Sequence, residues 1–266
     1  MAESAWSFED VGGVRLLRCE ALLEIPRVAH AFSTRIAFGR ADFDLGPAED
    51  EGSEVGSRRV AFFGAAGLGA ARPAILRQVH GRVIVNAAPG NARPPVADGV
   101  IRVARHGGNA PVPAIRTADC VAVLLVDRGA GAVAALHAGW RGVAAGIGAS
   151  AVGRFADEGV DAASLVVAQG PAILGCCYEV GEEVVGALSA ACGEPGAYVA
   201  RGPSGRTTVD LHAALHAQLV AAGVSATSIH AAPWCTRCRT DLFFSFRSEG
   251  KAAGRLMAAV GPAAGP

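Results

Sequence analysis

The sequence predicts one mixed domain of the α/β or α+β class, on three observations. Short apolar runs of β type recur along the chain, and helical stretches fall between or after them. The Pro/Gly-rich stretch "AAPGNARPPVADG" has β-type runs resuming on both sides, so it reads as a loop rather than a linker. The expected strands are "RVAHAFST", "AILRQVH", "RVIVNAA", "VAVLLV", "AVAALHA" and "SLVVAQG". Helices are expected around 54–63, 143–157, 179–191 and 210–222. The last of these starts with Asp210 as its N-cap, ends at a glycine, and carries Leu211, Leu215 and Leu219 as one apolar stripe. No internal repeat is present.

Composition narrows the function classes. With 266 residues, 51% of them hydrophobic, the chain can bury a substantial core. Lys+Arg and Asp+Glu both number 24, which argues against general binding of nucleic acid or anionic membranes. Lys251 is the lone lysine, so the basic residues are mostly arginines, a bias shared with the Ala- and Gly-rich composition. The start of the chain has early acidic residues and no long apolar segment, unlike a signal peptide, and "VAVLLV" is far too short to span a bilayer. A soluble cytoplasmic protein is the expectation. The 7 cysteines fit reduced thiols or metal ligands better than a secreted disulfide framework.

The stretch "VLLVDRGAGAVAALHAGWRG" concentrates the chemistry. If "VAVLLV" and "AVAALH" pair across a tight turn at "DRGA", facing Val126 with Gly131 puts Cys120 directly opposite His137. Their Cβ atoms would then lie about 5 Å apart, close enough to share a metal ion. His80 ends another apolar run, "AILRQVHG", and strand ends are where side chains leave a packed sheet for a cleft. One Cys and two His leave a fourth tetrahedral position for water, the pattern of a catalytic rather than structural zinc site.

These blocks also carry a resemblance. "RQVHG", "ADG", "TADCVAVLLVD", "HAGWRG", "GPAILGCCYEVG" and "FFSFRSEG" followed by "GR" occur in the order found in the YfiH/YlmD family, and the chain resembles that family from "HAFSTR" onward. The family was long described as laccase-domain or multicopper polyphenol oxidases and is assigned as purine nucleoside phosphorylases with adenosine deaminase activity. The resemblance implies an α+β fold: a layered α-β-β-α sandwich related to the catalytic domain of cytotoxic necrotizing factor toxins. It implies a single domain over 1–266 with a short, less ordered N-terminus and C-terminal tail. It implies zinc held by His80, Cys120 and His137, with purine nucleoside (adenosine, inosine, methylthioadenosine) and phosphate as small-molecule partners. Two blocks depart from the family: "STRIAFGRADFDLG" replaces a Gly-Gly-rich loop, and Ser57-Arg58-Arg59 replaces an Asn-Arg pair.

Deamination needs a carboxylate to move protons, and Asp98 and Asp119 are the candidates, each with an alternative reading as a turn or cap residue. Phosphorolysis needs arginines beside the anomeric carbon, and Arg59, Arg35, Arg141 and Arg247 lie in or near the motif blocks. Gln78, inside "RQVHG", joins the substrate-contact candidates. Trp140 is expected to pack against the hairpin end. "CTRC", Cys235 to Cys238, has CxxC spacing, but its only companions, Cys176 and Cys177, are adjacent and look like poor partners, so ordinary thiols are expected. His212 and His216 lack the Glu of an HExxH motif and read as helix-surface residues, and "GPSGRTT" reads as a turn.

Three other functions compete. A copper polyphenol oxidase would want an axial Met and many histidines, yet the methionines are only Met1 and Met257 and the histidines number 7. A cysteine hydrolase editing cell-wall precursors would use Cys120 as a thiolate activated by His137. An interaction module with structural zinc would need a fourth ligand, for which no candidate stands out. The sequence gives no indication of oligomeric state.

Overall fold

The computed structural model describes residues 5–47, 53–69, 72–88, 94–106, 110–202 and 204–264. The chain opens with β1 (Trp6–Val11), β2 (Val14–Cys19), the short α1 (Glu20–Leu23) and the long β3 (Val28–Ala37). After α2 (Glu54–Ala65) come β4 (Pro73–Ala74), β5 (Ile84–Asn86), β6 (Gly99–Val103) and β7 (Val112–Thr117). A central hairpin, β8 (Val121–Asp127) and β9 (Ala132–Ala138), leads into α3 (Trp140–Ala144), α4 (Ile147–Asp157) and β10 (Leu165–Gln169). Then follow α5 (Glu182–Cys192), β11 (Val199–Arg201), β12 (Thr207–Val209), α6 (Leu211–Ala221), β13 (Ile229–Ala231), α7 (Phe246–Glu249) and β14 (Leu256–Pro262).

Two six-stranded sheets form, in the orders β1-β2-β3-β14-β7-β4 and β13-β10-β8-β9-β6-β5, with β11-β12 a separate small hairpin. The alternation of side chains along a strand explains the layering. Along β8, Ala122, Leu124 and Val126 pack toward the first sheet with Phe32, Ile115 and Val260. Their alternates Val121, Val123 and Leu125 pack on the other face with Ile147, Phe155, Leu188 and Leu215 of α4, α5 and α6. On the far side of the first sheet, Leu16, Ala31 and Met257 are covered by Phe62 and Phe63 of α2. The result is the layered α-β-β-α sandwich expected. A strand buried on both faces must be apolar at every position, which is why "VAVLLV" shows no polar alternation.

Several expectations are corrected in detail. The helix expected over 143–157 is two helices, because Gly146 adopts φ 87 between α3 and α4, a left-handed conformation that glycine enters without steric cost. "AILRQVH" is not a strand beyond Pro73–Ala74, and Arg77 makes only an isolated bridge to Val96. The hairpin register is shifted by two residues: Ala122, not Cys120, faces His137. The loop is longer than supposed, with Ala130 at φ 55 and the Gly131 N–H held by the Asp127 carboxylate at 3.2 Å. Asp210 caps α6 as anticipated, accepting from His212 and Ala213 N–H at 2.9 and 3.3 Å. His212 is buried rather than on the helix surface, and its Nε2 lies 2.9 Å from the Gly170 carbonyl; His216 is half-buried. "GPSGRTT" turns between β11 and β12, with Pro203 outside the described residues. Residues 89–93 of the expected loop, and the outermost ends 1–4 and 265–266, also lie outside them. The expectation of a less ordered N-terminus and C-terminal tail falls on those ends, and Trp6–Val11 is a strand. Among the described residues no helix is long and apolar enough to cross a membrane.

Candidate metal centre

The head of the central hairpin gathers His80, Cys120 and His137, with one ligand atom of each lying within 4.8 Å of the others. His137 is on β9, sharing the face of Val133 and Ala135 that looks between the sheets. Cys120 immediately precedes β8. His80 arrives on a non-strand segment and has φ 61. The rings of His80 and His137 meet edge to face with centroids 4.6 Å apart. His137 is buried, Cys120 half-buried and His80 exposed, so the trio opens toward solvent on the His80 side. The donor set and its spacing fit a tetrahedral ion with one open position.

Asp98 organises this cluster. It immediately precedes β6, whose pairing of Gly99 with Leu136 brings it beside His137. Its carboxylate accepts the N–H groups of His80 at 2.8 Å, Gly81 at 2.6 Å and Val79 at 3.1 and 3.2 Å. It also accepts from His137 Nδ1 at 2.8 Å, which leaves Nε2 as the ligand atom. Burial pushes this carboxyl up, but the His137 and backbone hydrogen bonds outweigh it and hold it below its usual range. With its side chain fully buried, Asp98 holds the His80 turn and the His137 ring at once.

The glycines of "HAGWRG" now have a steric reason. A Cβ on Gly139 would lie 2.9 Å from His80 Cδ2 and 3.0 Å from Cys120 Sγ, and one on Gly142 would lie 2.8 Å from the Gly81 carbonyl oxygen. Gly139→Ala is therefore expected to weaken metal affinity at least ~10-fold. Its φ of −80 suits alanine, so stability should hardly change. Competition against a chromophoric chelator, alongside a urea melt, separates the two effects.

The electrostatics of the trio couple a thiolate to an imidazolium. Burial raises the Cys120 thiol, but hydrogen bonds from His137 and His80 outweigh it and bring it down to about 6. Burial lowers His137, but Asp98 and then Cys120 outweigh it and carry it up to about 9. A metal ligand must be thiolate or neutral imidazole. Between these values Cys120 is already ionised, while His137 must give up a proton to bind. Metal affinity should thus rise about tenfold per pH unit from about 6 to about 9, and fall more steeply below about 6. Calorimetric titration in buffers of different ionisation enthalpy measures the proton released.

Asp119, beside the cysteine, has φ 87 and is also engaged. It accepts from Thr236 Oγ1 at 2.6 Å and from the Arg247 backbone N–H at 2.6 Å, tying the cysteine to the start of α7. Arg247 donates to the Glu179 carbonyl at 3.2 Å and lies over the Tyr178 ring at 5.3 Å. Arg141 is exposed and stacks on Trp140 at 4.3 Å, while Trp140 packs on the helical-side core as expected. Gln78 and Arg35, both expected substrate contacts, are engaged within the protein. Gln78 spends its amide on the backbone of Arg116, at 2.7 and 3.0 Å. Arg35 donates to the Ala41 and Thr240 carbonyls, pairs with Glu249 at 3.0 Å and stacks on Phe244.

Arg59 lies elsewhere, lining a cavity of about 590 Å³ together with Arg77 and Arg116. It donates to the Gly46 carbonyl, and its buried Nε has no partner among the described residues. The cavity shares Leu76 and Arg77 with the segment that leads into His80. Arg77 and Arg116 were missed from sequence although they sit in "RQVHG" and beside "TADC". Tyr178, inside "GPAILGCCYEVG", was missed too. Burial and then the Cys120 charge push its phenol up to about 12, with Arg247 and Arg141 opposing.

The four remaining clustered cysteines also depart from expectation. One Sγ from each of Cys176, Cys177, Cys235 and Cys238 lies within 4.8 Å of the others, so the adjacent pair does meet the CxxC pair.

A layered α-β-β-α sandwich with an open His₂Cys trio at the head of its central hairpin defines the class of protein. Residues 30–263 match the family described as multi-copper polyphenol oxidoreductase laccase, and the chain belongs to that family, the YfiH/YlmD family. It is 39% identical over 219 residues to a purine nucleoside phosphorylase of Streptomyces coelicolor, covering 81% of this chain and 86% of that protein. It is 35% identical over 252 residues to a purine nucleoside phosphorylase of Deinococcus radiodurans, covering 90% and 92%. Adenosine deaminase RL5, from an unknown prokaryotic organism, is 42% identical over 147 residues, and that match spans 55% of this chain and 56% of the relative. The crystal structure of YlmD from Geobacillus stearothermophilus superposes with a TM-score of 0.84 at 29% identity, covering 97% of this chain and 99% of YlmD.

Proposed function

We propose that the chain is a zinc-dependent purine nucleoside phosphorylase that also deaminates adenosine. The observation that carries this reading is the convergence of His80, Cys120 and His137 on one open point, in a chain whose relatives bear those two enzyme names. When bound there, zinc supplies a Lewis acid and a water of lowered pKa, the requirement for displacing ammonia from a purine. Asp98 and Asp119 act as positioning residues: the first fixes the His137 tautomer and the His80 turn, the second fixes the cysteine. Tyr178 offers a neutral phenol beside the thiolate, and Arg141 and Arg247 flank it.

Phosphate is assigned to the cavity of Arg59, Arg77 and Arg116. The guanidiniums of Arg59 and Arg116 repel one another, and the nearby Asp44 carboxylate already accepts the Gly46 and Arg255 N–H groups. An anion relieves that repulsion and satisfies the guanidinium donors. Arg59→Ala should raise the KM for phosphate by about 10-fold or more while leaving zinc content unchanged. Steady-state phosphorolysis across a phosphate series, with metal analysis, reads both quantities.

The test of the reading is chromatographic. Adenosine is incubated with metal-quantified protein with and without phosphate, before and after chelation and zinc return. Adenine with ribose 1-phosphate formed only with phosphate, and inosine formed without it, are expected, both lost on chelation and restored by zinc. Conversion that survives chelation would favour a cysteine hydrolase, to which the lowered Cys120 thiol is also suited.

A further inference from the structure

We propose that Cys176, Cys177, Cys235 and Cys238 form a second metal site, a tetrathiolate that takes a structural Zn²⁺ ion. All four are free thiols on two loops that follow β10 and β13, parallel neighbours in the second sheet. Cys176 Sγ and Cys177 Sγ lie 3.7 and 3.3 Å from Cys238 Sγ, and all four sulfurs fall within 4.8 Å of one another. A tetrahedral ion with Zn–S bonds of about 2.3 Å places its sulfurs about 3.8 Å apart. The observed spacing brackets that figure.

The surrounding backbone is built for the cluster. Ala172 bridges Cys235, Thr236 donates its N–H to the Ala172 carbonyl at 2.9 Å, and the two loops are thereby locked side by side. Leu174 directs its N–H at Cys235 Sγ at 3.5 Å, the kind of donor that steadies an anionic sulfur. Among the described residues no His or carboxylate joins the group, and four thiolates select a thiophilic ion over Mg²⁺ or Ca²⁺. Four ligands close the coordination sphere, so this ion is structural, unlike the three-ligand trio.

The location gives the ion a purpose. Cys177 adjoins Tyr178, and Cys235 adjoins Thr236, whose hydroxyl holds Asp119. A metal there clamps together the two loops that form one wall of the candidate active site.

The deciding experiment uses the full chain carrying Cys120→Ala, which removes the single sulfur of the other site. Reduced, metal-stripped variant protein is titrated anaerobically with Co²⁺. Strong thiolate-to-cobalt charge transfer with tetrahedral ligand-field bands, saturating at one ion per chain, is expected, with Zn²⁺ displacing the cobalt. The zinc content of the same variant as purified should be one ion per chain against two in the wild type. Absence of thiolate–cobalt absorption, or zinc-free variant protein whose clustered cysteines are recovered as disulfides under mild handling, would overturn the proposal. Adding Cys235→Ser and Cys238→Ser should abolish the cobalt signal, and its persistence would equally overturn the assignment.

Discussion

Cys120→Ala is expected to abolish both activities on purine nucleosides while leaving the fold intact. In the proposed zinc site the thiolate is one of three protein ligands, and two imidazoles alone do not hold zinc against competing ligands at neutral pH. The loss should therefore bring turnover to the level of chelated wild-type protein, rather than a partial decrease. Little folding energy is at stake. Cys120 is half-buried, and the hairpin beneath it is held by the paired, apolar positions of β8 and β9. Far-UV circular dichroism should be unchanged. The variant loses activity under either a zinc or a cysteine-nucleophile mechanism, so its value lies in combination with chelation. Stripped wild-type protein keeps the Cys120 thiol and lacks metal. If stripped protein turns over nucleoside and Cys120→Ala does not, sulfur is the nucleophile. If neither does and zinc rescues only the wild type, sulfur is a ligand. Retention of full activity by the variant would remove the trio from the chemistry altogether.

The inner strands of the fold were legible because burial on both faces leaves an unmistakable mark, while the α-β-β-α layering came from the family resemblance. "VAVLLV" and "SLVVAQG" are apolar at nearly every position, and they are the inner strands β8 and β10. Register was less legible. It is set by a loop in which Ala130 takes a positive φ, a conformation that its residue type does not announce. The error was one of two residues, and side chains repeat with that period, so Cys120 and His137 kept a common face and still converge. His80 was found by its motif but placed on the wrong kind of element. Its turn depends on Asp98, a partner distant in sequence whose carboxylate takes the N–H groups that a strand would have used. Gln78 and Arg35 show a related ambiguity: both hold backbone carbonyls or N–H groups, a use of a polar side chain that a motif block does not distinguish from substrate contact. The meeting of Cys176 and Cys177 with Cys235 and Cys238 depends on the parallel pairing of β10 and β13, which no local spacing encodes.

Asp98→Asn should separate positioning from proton transfer. The asparagine keeps the size and one acceptor but turns an NH₂ group toward the donors that now share the carboxylate: Val79, His80, Gly81 and His137. At least one buried donor then lacks an acceptor, at about 1–3 kcal/mol, with the charge-assisted bond to His137 lost as well. A lowered urea midpoint in the metal-free protein follows. The larger consequence falls on the metal. Without the carboxylate, His137 no longer has a fixed Nδ1–H tautomer, and the His80 turn loses the anion that holds its three consecutive N–H groups. Zinc affinity should drop about 10- to 100-fold. A residue that acts only by orienting ligands should leave much of kcat recoverable at saturating zinc. A residue that moves protons should not. Tight zinc binding combined with abolished turnover would therefore return Asp98 to the proton-transfer role suggested by its sequence context. Weakened binding with recoverable turnover would assign its charge to holding two histidines in place.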